Sequence, residues 1–186
     1  MGFDIYGIEP KQNTIEPKIL GKDWQELNDK QREQYFEAKE KHETENPGRY
    51  FRNNVWWWRP LWAYVCSICE DVMTEEEQLA GTDNSGNTIP ESTTERMVEK
   101  LVIEIALDNH IKHAEQYKKE VEALPDEECW LCKGTGKRDD EHVKGECNAC
   151  GGKGTKTAWE ASYPFDPENV EQFINFLSES GGIQVY

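Results

Sequence analysis

The sequence predicts an α+β fold, in which a mainly helical domain carries a small sheet formed by its two ends and a zinc hairpin projects from it. Three observations lead to this prediction. Short segments with alternating apolar residues stand near both ends, helical periodicity fills much of the chain between them, and two C-x-x-C pairs lie late in the chain. The predicted domain comprises residues 1–124 and 157–186, and the predicted hairpin comprises residues 125–156.

The first and last elements are the predicted strands. FDIYGI at 3–8 alternates, which places Phe3 and Ile5 on one face of a strand and Tyr6 on the other. IQVY at 183–186 is the second strand candidate. Two terminal strands around a helical middle are typical of a chain whose ends meet in one sheet.

Helices are predicted from spacing and from cap residues. Apolar residues at helical intervals predict a first helix over 23–45. A single long helix is predicted from Ser92, which forms a capping-box pattern with Glu95, to residue 124 before a proline. An Asp-Pro start and a Gly-Gly end predict the last helix over 167–180.

The charge of the chain argues against two classes of partner, although a local basic groove remains compatible with it. There are 37 acidic and 21 basic residues, a formal charge of −16. Such a molecule repels phosphate and anionic lipid, so non-specific nucleic-acid binding and membrane docking are not expected. No stretch has the length and apolar content of a membrane span, and the first residues do not resemble a signal peptide. Paired cysteines without an export signal favour the reducing cytoplasm.

Four cysteines carry the clearest motif in the chain. Cys129, Cys132, Cys147 and Cys150 form C-x2-C-x14-C-x2-C. Each C-x-x-C turn brings two thiolates onto one edge of a tetrahedron, and two turns complete the shell of one zinc ion. An iron–sulfur centre or a redox dithiol are the alternatives. Because four thiolates leave no position for water or substrate, the predicted zinc ion is structural.

The doubled C-x-x-C-x-G-x-G pattern over 129–154 resembles half of the zinc-binding region of DnaJ-type chaperones. That family typically carries four such repeats and a J-domain with a His-Pro-Asp signature, whereas this chain has two repeats and lacks that signature. The resemblance therefore implies zinc binding without co-chaperone activity. The segments MGFDIYG, FRNNVWWWRPLWAYVC and SYPF resemble a group of uncharacterised phage and bacterial proteins, which favours a viral or mobile-element origin.

The densest aromatic stretch, FRNNVWWWRPLWAY, has two interpretations. In one, Asn54 caps a helix and the residues Trp57, Leu61, Tyr64, Val65 and Ile68 form its buried face. In the other, tryptophan faces stack on a planar anionic ligand, such as a nucleotide, while arginines and asparagines bind its polar groups. The candidate ligand-binding residues are Arg52, Asn53, Asn54, Trp56, Trp57, Trp58 and Arg59. A further pair, Cys66 and Cys69, is interpreted as buried thiols or as a second metal or redox site.

The sequence contains none of the enzyme motifs considered, so no catalytic residue is predicted. His110 and His113, one helical turn apart, have no visible third ligand. The leading hypothesis is a non-enzymatic, zinc-stabilised binding protein that sequesters a host signal nucleotide or blocks a host protein. The alternatives are a protein-interaction adaptor or chaperone-like module that acts through the hairpin, and an enzyme with an unrecognised site.

Overall fold

The computed structural model describes residues 2–19 and 24–186. In this part of the chain it contains six α-helices and a four-stranded antiparallel sheet that includes both terminal strands, so the predicted α+β fold is confirmed. The helices are α1 (Asp29–Glu45), α2 (Val55–Cys69), α3 (Glu75–Ala80), α4 (Glu91–Ala106), α5 (Asn109–Glu122) and α6 (Pro167–Ser180). The predicted start of the first helix at Asp23 lies outside the described residues.

Strands form the central sheet and two short ladders. They are β1 (Gly2–Gly7), β2 (Tyr50–Asn54), β3 (Asn87–Ile89), β4 (Glu127–Glu128), β5 (Lys137–Asp139), β6 (Lys144–Glu146), β7 (Thr155–Lys156) and β8 (Ile183–Val185). The central sheet has the order β2-β1-β8-β3, while β4 pairs with β7 and β5 with β6. Short 3₁₀ turns occupy Trp24–Glu26, Pro47–Arg49 and Trp159–Ser162.

The chain folds into two compact units. One comprises Met1–His110 with Asp166–Tyr186, and the other comprises Ile111–Phe165. The predicted hairpin, residues 125–156, lies inside the second unit, which also holds most of α5 and residues 157–165. The predicted boundaries of the hairpin stay a prediction.

The central sheet has one buried and one open face. β1 pairs antiparallel with β8 in the register Ile5↔Val185, so the two ends of the chain are neighbours in the sheet. Phe3 and Ile5 are buried, as the alternation of β1 predicts, whereas Tyr6 lies on the open face with 45% of its surface exposed.

Aromatic rings form the core on the buried face. Trp58 of α2 stacks on Phe3 of β1 with 5.4 Å between ring centroids and on Trp62 with 5.3 Å. Phe173 of α6 meets the edge of Trp58 at 5.6 Å and packs against Phe51 of β2 at 5.2 Å. A few large rings thus bury the area that a larger number of aliphatic side chains would otherwise supply.

The predicted single helix from Ser92 to residue 124 is wrong, because α4 and α5 are separate helices. Leu107 is the C-cap of α4, and Asp108 adopts a left-handed conformation with φ 54°. Asp reaches this conformation more easily than most residues, since its short polar side chain bonds locally. The start was also misplaced: Pro90, not Ser92, is the N-cap.

The last helix agrees closely with its prediction. Asp166 caps α6 by accepting a hydrogen bond from the amide of Glu168 at 3.0 Å, and Gly181 ends the helix with φ 59°. None of the described helices is both long and apolar enough to cross a bilayer.

Candidate metal centre

Four sulfur atoms converge within the second unit. The Sγ atoms of Cys129, Cys132, Cys147 and Cys150 all lie within 4.8 Å of one another. Cys129 and Cys147 are 4.0 Å apart, and Cys132 and Cys150 are 3.8 Å apart. A zinc ion with four sulfurs at about 2.3 Å requires edges of about 3.8 Å. The four cysteines are thus placed to hold one tetrahedral metal ion.

The two C-x-x-C turns, here called the first and second knuckles (129–136 and 147–154), make matching backbone contacts with each other. The amide of Cys129 donates to the carbonyl of Gly154 at 2.8 Å, and the amide of Cys147 donates to that of Gly136 at 2.9 Å. The ladders follow the same rule, because the strand before each knuckle pairs with the strand after the other. Each knuckle therefore provides a hydrogen-bond acceptor and a pairing strand to the other.

Glycine is required where the knuckles approach each other. Gly136 and Gly154 have φ of 68° and 82°, and a Cβ there would lie 2.2 Å from the carbonyl oxygen of Gly152 and 2.4 Å from that of Gly134 respectively. Their amides donate to the sulfurs of Cys132 and Cys150, each at 3.3 Å. These amides disperse thiolate charge, as outer-shell groups of metal sites do.

The electrostatics of the cluster favour a bound cation. The amide of Cys132 lowers the pKa of Cys129 to about 7, whereas burial raises the pKa of Cys132 to about 11. All four cysteines are buried, with Leu131 and Ala149 packed against them. Four buried sulfurs cannot all ionise without a counter-charge, which a thiophilic divalent ion would supply. The donor set has no carboxylate and leaves no open position.

Cys66 and Cys69 do not form a second centre of this kind. Among residues 2–19 and 24–186, the tetracysteine cluster is the one group of three or more His, Cys, Asp or Glu residues with converging ligand atoms. Cys69 is buried in α2 and Cys66 half-buried, and burial raises their pKa values to about 12 and about 11. Thiols of such high pKa are poor nucleophiles at neutral pH.

Fold and site together define an α+β protein with four buried cysteines placed to hold one metal ion. Comparisons of the chain with protein-family models, with curated proteins and with solved structures give no match.

The polar residues of the predicted ligand segment lie at the sheet edge. Arg52 is exposed on β2, with its Nε 3.6 Å from Oδ1 of Asp4. Asn53 donates through Nδ2 to Oδ1 of Asn169 at 2.7 Å. Asn54 caps α2 by accepting from the amides of Trp56 and Trp57, as the structural interpretation of this segment predicts.

The tryptophans and Arg59 separate along α2. Trp56 and Trp57 are half-buried, and Trp58 is fully buried in the aromatic core. Arg59 lies on the exposed side of the helix, where it lines a cleft of about 670 Å³ together with Trp62 and Cys66. The structure therefore does not gather the seven candidates around one cavity, and their role in ligand binding stays a prediction.

Sequence reasoning missed two features that the structure exposes. Trp130, between the first two cysteines of the cluster, has 74% of its surface exposed. Comparing the two knuckles position by position would have singled it out, since Asn148 is its counterpart. His42 is buried beside Arg49 at the rim of a second cavity. No spacing in the sequence reveals this cavity, because residues from distant segments also line it.

Proposed function

We propose that this protein is a non-enzymatic, zinc-stabilised binding protein whose second unit presents Trp130 to a partner protein. The observation that carries the proposal is the exposure of Trp130, 74%, next to the fully buried Cys129. Tryptophan combines a large apolar surface with a single N–H donor, and it is enriched among residues that dominate protein–protein binding energy. An exposed indole on a rigid backbone is suited to such a contact.

The second knuckle serves as an internal control. In both knuckles the second residue between the cysteines, Leu131 or Ala149, packs on the cluster, while the first is exposed. That first residue is Trp130 in one knuckle and Asn148 in the other. Because the second knuckle forms the same amide-to-sulfur bond with asparagine there, the fold does not require an indole at this position. Function is the better explanation for Trp130.

A metal-locked backbone makes the indole an efficient contact. The chain around Trp130 is held by the bond from the Cys129 amide to Gly154 at 2.8 Å and by the cysteines on either side. A side chain on a fixed backbone loses little entropy on binding, since only its own two torsions remain to be ordered. Zinc would thus favour partner binding by making the backbone around Trp130 rigid, and it would not contact a reactant.

The absence of catalysis is part of the proposal. Four thiolates close the shell of a zinc ion, and a closed shell is typical of structural rather than catalytic zinc. The resemblance of 129–154 to a DnaJ-type zinc-binding region supports a role in protein contact, and the resemblance to phage and bacterial proteins supports a host protein as the partner. The proposed zinc content is one ion per chain, held by Cys129, Cys132, Cys147 and Cys150.

Site-specific photo-crosslinking tests the proposal. A photoreactive amino acid is placed at position 130 or, as the matched control, at position 148, and cells expressing the protein are irradiated. The proposal expects one major crosslinked protein from position 130 and none from position 148.

Binding of that purified partner should weaken about tenfold or more in Trp130→Ala. Asn148→Ala should bind normally, although it loses the 2.9 Å bond from Arg138. Equal binding by both variants contradicts the proposal.

A further inference from the structure

The first unit contains a cavity of about 450 Å³ beside the open face of the sheet. Residues from β1, from the segment that follows it, from α1, from the turn after α1 and from the start of β2 surround it. Those that matter here are Tyr6, Glu16, Lys39, His42, Arg49 and Tyr50. The volume lies in the range that small-molecule sites occupy, about 300–1,000 Å³.

One wall of the cavity is aromatic. Tyr6 and Tyr50 face each other across β1 and β2, with ring centroids 5.1 Å apart. The rings are 45% and 44% exposed, so each retains a free surface. The Tyr50 hydroxyl donates to Asp4, which fixes the direction of that ring. Exposed tyrosine faces are platforms on which a planar ring stacks.

A buried histidine orients the main cation of the cavity. His42 is only 5% exposed, and its Nδ1 lies 2.9 Å from Oγ1 of Thr14. Its Nε2 lies 2.5 Å from Nη1 of Arg49. Since a guanidinium only donates, Nε2 accepts from Arg49, while Nδ1 lies against the Thr14 hydroxyl and 3.0 Å from the side-chain amide of Asn46. These contacts fix the orientation of the Arg49 guanidinium.

Among the residues that the structure describes, the further partner of Arg49 is a weak one. Its Nη2 lies 3.6 Å from Oε2 of Glu16, a carboxylate whose side chain is 60% exposed. Lys39 is paired with Glu43 at 3.7 Å, again between exposed groups. Both distances exceed those of a hydrogen bond, and exposed ion pairs of this kind are weak. A stronger anion can therefore replace Glu16 on Arg49.

We infer that this cavity binds a nucleoside phosphate, with the base against Tyr6 and Tyr50 and the phosphate on Arg49. The guanidinium fork suits phosphate because two of its donors can reach two oxygens, and Lys39, which is weakly paired with Glu43 of the same lining, can turn to the phosphate as a second cation. The inference is independent of the proposed role of Trp130, since it concerns the other unit. It also places the planar anion at Arg49, outside the tryptophan segment in which the sequence predicts it.

Calorimetric titration with AMP, GMP, CMP and UMP tests this site. At least one nucleotide should bind, and its nucleoside and inorganic phosphate should each bind about tenfold or more weakly, because each offers half of the contacts. Arg49→Lys should weaken nucleotide binding about tenfold, since the fork is lost while the charge is kept. Glu16→Gln should tighten it several-fold, because the competing carboxylate is gone.

Matched aromatic variants complete the test. Tyr6→Ala should lose most of the binding. Tyr186→Ala removes an equally exposed ring (45%) that contacts Tyr6 without lining the cavity, and it should bind normally. Glu16→Gln alters only an exposed group, so it tests the site without threatening the fold. The inference is overturned if no nucleotide binds, or if Glu16→Gln binds no tighter than the unmodified chain. Trp130→Ala should leave nucleotide binding unchanged.

Discussion

The amide of Cys147 donates to the carbonyl of Gly136 at 2.9 Å, a bond that ties the start of the second knuckle to the end of the first. Its counterpart joins Cys129 and Gly154 at 2.8 Å. Neither knuckle can therefore adopt its final backbone without the other. Metal binding and folding of this unit should be coupled, as they are in small metal-dependent domains.

Gly136→Ala should damage this arrangement. The new Cβ would lie 2.2 Å from the carbonyl oxygen of Gly152, in a residue with φ 68°. We expect the free energy of unfolding to fall by about 2 kcal/mol or more. Gly151→Ala is the matched control, because it has φ 57° but open space around its Cβ, and it should cost only about 1 kcal/mol. Equal losses in thermal or chemical denaturation would contradict the crossed arrangement of the knuckles.

Lys133→Gly should raise the stability of the unit, in contrast to Gly136→Ala. Lys133 has φ 50°, and the corresponding residue of the second knuckle is Gly151 with φ 57°. Relief of the left-handed conformation of a residue with a Cβ is expected to stabilise the unit by up to about 1 kcal/mol. Chelator competition should also show unchanged or tighter metal binding. A lower stability of the glycine variant would mean that the lysine side chain supports the fold.

Asn54→Ala tests the two interpretations of the aromatic segment. Asn54 accepts from the amides of Trp56 and Trp57 at 3.0 and 3.2 Å, so its loss should cost about 1 kcal/mol of stability. Asn54→Asp keeps an acceptor and places a negative charge at the helix start, so it should fold as well as the original. If both variants kept full stability, Asn54 would be free for a ligand role. Urea denaturation distinguishes these results.

The ionisation of Tyr50 should depend on Asp4. Partial burial, followed by the hydrogen bond to Asp4 and its charge, raises the pKa of Tyr50 from 10.0 to about 12. Because the folded value exceeds the unfolded one, the stabilising effect is complete below pH 10 and is lost as the pH rises towards 12. In Asp4→Asn the Tyr50 pKa should move back towards 10. Ultraviolet titration of the phenol measures this, and an unchanged value would exclude the Asp4 contact.

Local patterns in the sequence predicted the parts of this fold that depend on neighbouring residues. The alternation of Phe3 and Ile5 identified β1, and Asp166 and Gly181 marked the ends of α6. The cysteine spacing identified the four residues that converge, because two C-x-x-C turns provide the four ligands of one tetrahedral shell.

Other parts of the fold depend on tertiary contacts that residue spacing in the sequence does not reveal. The break at Asp108 interrupts an apolar stripe that continues on both sides, so periodicity alone extended the helix through it. The cavity at Arg49 brings together residues 6, 16 and 39–50, which only the tertiary fold makes neighbours. The burial of Trp58 between Phe3 and Phe173 likewise follows from tertiary packing.

The metal content of the purified protein tests the central claim most directly. Native mass spectrometry should find one zinc ion per chain, and replacement by cobalt should give the spectrum of a tetrahedral four-thiolate site. That spectrum should not change when azide is added, because the shell of Cys129, Cys132, Cys147 and Cys150 has no solvent position. A chain without zinc, or a cobalt spectrum that responds to azide, would contradict a closed structural centre.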